Sequence, residues 1–81
     1  MSRPRRLSLL HRRGCHLCDE MLEALELACK GQDIQIEMVD IDEDPALVAQ
    51  YGVDIPVLLA GEQEICRHRL DYSRLRRWIS G

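Results

Sequence analysis

Hydrophobic and polar positions alternate along this chain in short blocks, each with its own period. Leu7-Ser8-Leu9-Leu10 is a nearly continuous apolar run, the pattern of a short strand covered on both faces. After Gly14, Leu17, Met21, Leu22, Leu25, Ala28 and Cys29 recur three or four positions apart, which predicts one apolar stripe along a helix beginning near Cys15. Glu20, Glu23 and Glu26 fall on the other side. Lys30-Gly31 reads as the stop, a cation in the last turn followed by glycine. Ile34-Gln35-Ile36-Glu37-Met38 alternates strictly and Val39 and Ile41 prolong it, predicting a second strand.

Asp44-Pro45 has the chemistry of a helix start, an acidic cap before proline at the first helical position. Ala46, Leu47, Val48 and Tyr51 supply the short helix, and Gly52 ends it. Val53-Asp54-Ile55-Pro56-Val57-Leu58-Leu59 then predicts a strand with proline at its head. Ala60-Gly61-Glu62 turns the chain, and Gln63 to Arg67 returns as an antiparallel edge strand. Asp71 caps a last helix whose apolar side is Tyr72, Leu75, Trp78 and Ile79, with Arg74, Arg76 and Arg77 opposite. The order is βαβ-αββα. A right-handed parallel unit followed by a hairpin predicts an α/β fold, a four-stranded mixed sheet with helices on both faces. No repeat or linker interrupts it, so residues 1–81 are read as a single domain.

Composition narrows this picture. With 81 residues and no phenylalanine, the core must be built from Leu, Ile, Val and Met. No stretch approaches the roughly 20 apolar residues of a membrane span. The start, Met1-Ser2-Arg3-Pro4-Arg5-Arg6, is basic, but the apolar run behind it is too short for an export signal. Four cysteines without export point to reduced thiols in a cytoplasm rather than a disulfide scaffold. The formal net charge is −3, unevenly spread: between Asp19 and Glu64 the only base is Lys30, and outside that window Asp71 is the only acid. The arginines are either solvated surface or a basic rim that draws an anionic partner. An acidic chain without interleaved aromatics argues against nucleic acid as partner.

Candidate chemistry concentrates at Arg13-Gly14-Cys15-His16-Leu17-Cys18. Two cysteines three positions apart in the first turn of a helix share one face and can close a small disulfide. At a helix N-terminus, free N–H groups and the macrodipole favour a thiolate, the nucleophilic form. Cys15 is therefore expected to attack and Cys18 to resolve. A CxxC is also half of a zinc site, but no second pair exists and His11, His16 and His68 are scattered. Cys29, on the helix stripe, and Cys66, in the edge strand, read as small apolar residues. His16 is expected to be exposed, either supporting the Cys15 thiolate or standing by.

Gly14-Cys15-His16-Leu17-Cys18-Asp19 after the first strand, Val53-Asp54-Ile55-Pro56-Val57 before the third, and the order of elements together resemble a glutaredoxin-type member of the thioredoxin superfamily. The resemblance covers essentially the whole chain and is narrowest to small bacterial glutaredoxin-like proteins. It implies thiol–disulfide exchange on a protein disulfide or a low-molecular-weight thiol; no bound cofactor is expected, and the chain is expected to act as a cytoplasmic monomer. It also implies that Pro56 is cis and lies beside the dithiol, and that the backbone of Ile55 pairs with the substrate backbone. Departures accompany it. Leu17 stands where glutathione-using members carry an aromatic residue, Arg12 and Arg13 where they carry lysine, and Cys66-Arg67-His68-Arg69-Leu70-Asp71 lacks their glycines. Arg12, Arg13, Arg69 and Asp71 are the candidate contacts left for glutathione, which is expected to bind weakly and through charge. Two other readings stay open: a domain carrying a metal or iron–sulfur cluster on Cys15, and a non-catalytic adaptor.

Overall fold

The leucines of the first strand sort by parity. In the computed structural model, which describes residues 5–81, β1 spans Arg5–His11, with Leu7 and Leu9 buried in one core and Leu10 in another. The basic start from Met1 to Pro4 lies outside the described residues. β1 pairs in parallel with β2 (Ile34–Asp40), from Arg5 opposite Ile34 to His11 opposite Asp40. On its other side it pairs antiparallel with β3 (Val57–Ala60), Leu10 opposite Val57 and Leu9 opposite Leu58. β4 (Gln63–Arg67) returns antiparallel to β3, giving the mixed order β2-β1-β3-β4.

Helices cover both faces. α1 (His16–Ala28) and α3 (Tyr72–Ser80) place Met21, Leu25 and Leu75 against Leu7, Leu9 and Leu58. On the opposite face a 3₁₀ turn (Ile41–Glu43) and α2 (Pro45–Tyr51) cover Leu10 and Val57 with Ile41, Leu47, Val48 and Tyr51. Burying each of the fully enclosed aliphatic side chains, such as Leu7, Leu9, Leu25, Ile41 and Leu58, stabilises the fold by about 1.5–3 kcal/mol. Ile65 and Cys66 are consecutive in β4, yet both belong to the α1/α3 core. The register explains this: Leu58 faces Cys66 and Leu59 faces Glu64, so Ile65 is an extra, bulged residue. Strict alternation would have sent one of the two to the opposite face.

The expected caps are in place. The Asp44 carboxylate accepts the N–H of Ala46 with Pro45 beginning α2, and the Asp71 carboxylate accepts the N–H of Arg74. Elsewhere the expectations need correction. α1 ends at Ala28 and Cys29 caps it, so Lys30 lies beyond the last turn. Gly31, at φ +82°, then reverses the chain in the left-handed region that glycine enters without strain. The third strand begins only at Val57, and Val53 is 94% exposed. Leu17 and Tyr72, counted above as core, are half exposed. Each sits in the first turn of its helix, and the two border one groove instead of entering the core.

Candidate dithiol site

β1 runs out at His11, and Gly14, at φ +75°, bends the chain back into α1. The bend leaves Cys15 as the N-cap with extended backbone, and its Sγ accepts the N–H of Cys18 at 3.2 Å. The Cα atoms of Cys15 and Cys18 are 5.2 Å apart and their sulfurs stand at disulfide distance. Exposure divides the pair: Cys18 is buried beneath the first turn, while Cys15 is partly exposed and His16 is exposed. An amide aimed at the Cys15 sulfur can hold negative charge there after reduction, with the helix dipole adding to it.

β3 brings the second component. Val57 pairs with Leu10, so Pro56 lies at the end of the sheet from which the cysteine turn departs. Pro56 is buried, the Ile55–Pro56 bond is cis, and the Pro56 carbonyl accepts the N–H of His68 at 2.7 Å. β4 returns to this end, so that the turn after Arg67 stands opposite α1. Between them runs a groove of about 450 Å³ bounded by Leu17, Met21, Arg69, Leu70 and Tyr72, with Glu20 and His68 on its rim.

The basic residues are not a uniform rim. Arg12 forks onto Asp42, with Nε 3.0 Å from both carboxylate oxygens and an Nη at 2.8 Å. Asp71 is committed to capping α3 and lies 3.7 Å from Arg74. Arg67 bonds Glu64 at 2.9 and 2.5 Å and Asp54 at 3.0 Å. That hydrogen bond from Arg67 holds the Glu64 carboxyl below its ordinary range, and Glu64 in turn raises the Arg67 guanidinium. Arg13 and Arg69 are exposed, and among the described residues no ion pair engages them. Sequence reasoning placed Arg67 at this edge as a cation open to an anionic ligand, and gave Asp42 and Asp54 no role at the site. Asp42 lies 30 positions from Arg12, and no local pattern signals that pairing.

Cys29 and Cys66 are buried free thiols, and burial pushes both above the ordinary thiol range. Among the described residues, no group of three or more His, Cys, Asp or Glu side chains is disposed to hold a metal ion. Likewise, no described helix is long and apolar enough to cross a membrane.

Residues 6–80 match the family described as Glutaredoxin-like domain (DUF836). The uncharacterized protein Rv0508 of Mycobacterium tuberculosis is 35% identical, across 94% of this chain and 82% of its own. The solution structure of protein Ne2328 from Nitrosomonas europaea superposes with a TM-score of 0.85 at 32% identity, covering 96% of this chain and 94% of that one. Thioredoxin 1 from Thermosipho africanus superposes with a TM-score of 0.61 at 26% identity, covering 93% and 94%.

Proposed function

The chain belongs to the glutaredoxin-like domain family within the thioredoxin superfamily, and on that premise we propose that it is a thiol–disulfide oxidoreductase with Cys15 as nucleophile and Cys18 as resolving thiol. The observation that carries this reading is the asymmetry of the pair: Cys15 is partly exposed and receives an N–H, whereas Cys18 is buried.

The Cys15 thiolate attacks one sulfur of a disulfide. A Cys15–substrate bond forms, the substrate's S–S bond breaks, and the departing sulfur leaves as thiolate and takes a proton. Cys18 then loses its proton and attacks Cys15 Sγ. The Cys15–Cys18 bond forms and the second substrate sulfur is released, so two electrons have passed to the substrate. An external dithiol, or two monothiols such as glutathione, returns them. The substrate class is a protein disulfide or a low-molecular-weight disulfide, with the Ile55 backbone pairing beside Cys15. Arg69 lines the groove, and Arg12, Arg13 and Asp71 are carried as weaker candidate contacts for the substrate. On this reading the protein needs no resident cofactor and works as a cytoplasmic monomer, where Cys29 and Cys66 stay reduced.

The test is disulfide exchange on a peptide carrying one intramolecular disulfide, with dithiothreitol as reductant. Wild-type protein turns over; Cys15→Ser does not; Cys18→Ser accumulates a stable mixed disulfide detected by mass. A Cys15→Ser protein with wild-type turnover would overturn the assignment.

A further inference from the structure

Ile55 is held between two fastenings, neither of which belongs to the dithiol or to the core. On its C-terminal side, the Pro56 carbonyl accepts the N–H of His68, one step beyond the last register pair of β3 and β4, Val57 with Arg67. On its N-terminal side, the Asp54 carboxylate takes the Arg67 guanidinium at 3.0 Å, and His68 Nε2 stands 3.6 Å from its other oxygen. The Asp54 N–H also donates to the Tyr51 carbonyl at the end of α2. Arg67 does not swing freely, because its remaining donors are bonded to Glu64 in its own strand. His68 adopts φ +70°, a left-handed conformation uncommon for a residue with a side chain.

Partly exposed ion pairs add little to stability, with about 0–1 kcal/mol usual for each. Arg67, itself held by Glu64, and a left-handed histidine nevertheless converge on Asp54, the residue before Ile55. What they do there is geometric. They leave the Ile55 main chain little freedom in the segment where the proposed reaction needs a substrate strand to pair.

We propose that Glu64, Arg67 and Asp54 form a relay of positioning residues that fixes the Ile55 backbone for docking a peptide substrate next to Cys15. The relay rests on the oxidoreductase reading above. It touches neither the reacting sulfurs nor the substrate, and it acts on binding rather than on sulfur exchange. It therefore distinguishes substrates. A peptide disulfide that must lie along Ile55 depends on the relay, and a small disulfide that only has to reach Cys15 does not.

The experiment compares Asp54→Ala, Arg67→Ala and Asp54→Asn with wild type on two substrates, a disulfide-bonded peptide and 2-hydroxyethyl disulfide. The two alanine variants should raise KM for the peptide roughly 10-fold with kcat nearly unchanged, the scale of a sub-ångström loss of positioning. Asp54→Asn keeps an acceptor for Arg67 and should recover most of that loss. Rates with 2-hydroxyethyl disulfide and the redox potential of the Cys15–Cys18 couple should match wild type in all three. Unchanged peptide KM, or equal losses on both substrates, would overturn the relay. Amide hydrogen exchange is the second measurement: Asp54→Ala should speed exchange at His68, whose N–H is bonded to the Pro56 carbonyl, relative to α1 and β1. If wild type reduces neither substrate, the oxidoreductase reading fails by itself. The relay then stands or falls on exchange at His68, and unchanged protection there overturns it.

Discussion

The backbone N–H of Cys18 points at the Sγ of Cys15 from 3.2 Å, so the residue expected to resolve the mixed disulfide also supplies a donor to the attacking sulfur. The two roles are separable because one uses the main chain and the other the side chain. Cys18→Ser removes the resolving thiol but keeps the amide. Its Cys15 should still be alkylated at neutral pH at close to the wild-type rate for reduced protein. In reduced wild type, Cys15 should be modified before Cys18, which is only 2% exposed. Peptide mapping after brief iodoacetamide treatment reads the order directly, and faster labelling of Cys18 or Cys66 would refute it.

Arg12 should become available to anions only when Asp42 is neutralised. Its guanidinium is bonded to both oxygens of that carboxylate. Asp42→Asn leaves the 3₁₀ turn its cap, because Asp40 accepts the Asp42 N–H. The substitution should cost about 0–1 kcal/mol in urea unfolding, as for other exposed pairs. It should also strengthen binding of S-methylglutathione roughly two- to five-fold at low salt, the equivalent of about 0.5–1 kcal/mol. Affinity equal to wild type would show that Arg12 lies out of reach of the groove.

Cys29 and Cys66 make an alkaline prediction. Burial raises both in the folded state. A group whose folded value lies above its unfolded value contributes stability below the unfolded value and loses it as pH rises. Protein oxidised at Cys15–Cys18 should therefore lose stability from about pH 8.5 upward, where unfolded thiols ionise. At neutral pH the same oxidised protein should resist thiol reagents until unfolded, when both cysteines react. Chemical denaturation at pH 7 and at pH 9.5 checks the sign: a Cys66→Ala protein should show a shallower decline than its parent.

The order of elements was legible because each carries a local marker. Asp44-Pro45 and Asp71 announce helix starts through side chains that bond amides two or three positions on, within the same stretch of sequence. Periodicity reports which side of a helix is apolar, but not where the sheet beneath it stops. That is why Leu17 and Tyr72 read as core and stand half exposed. The consecutive burial of Ile65 and Cys66 was hidden for a similar reason, since a bulge breaks the very alternation from which burial is inferred. Of the site, the cysteines and Pro56 could be named because spacing and neighbours carry them. The Arg12–Asp42 and Arg67–Asp54 pairs could not, since each joins residues that only the folded sheet brings together.

Glutathione should bind this protein weakly, in the millimolar range, and through charge. The anions of the tripeptide need donors, and most donors near the dithiol are already engaged. Arg12 serves Asp42, Arg67 serves Glu64 and Asp54, and the N-terminus of α3 is capped by the Asp71 carboxylate. Arg13 and Arg69 remain, both exposed and open to screening by salt. The groove between α1 and the turn after β4 offers Leu17, Leu70 and Tyr72 as apolar contacts. That turn is built from Arg67-His68-Arg69-Leu70, without a glycine through which the backbone could close on a peptide. Two exposed charge contacts of about 0–1 kcal/mol each, added to modest apolar contact, fall short of the roughly 8 kcal/mol that micromolar binding requires. Titrating Cys18→Ser with S-methylglutathione at low and high ionic strength should give millimolar affinity that weakens further with salt. Micromolar binding indifferent to salt would mean that the groove holds the tripeptide by shape, and that Leu17 and Tyr72 rather than the arginines are its determinants.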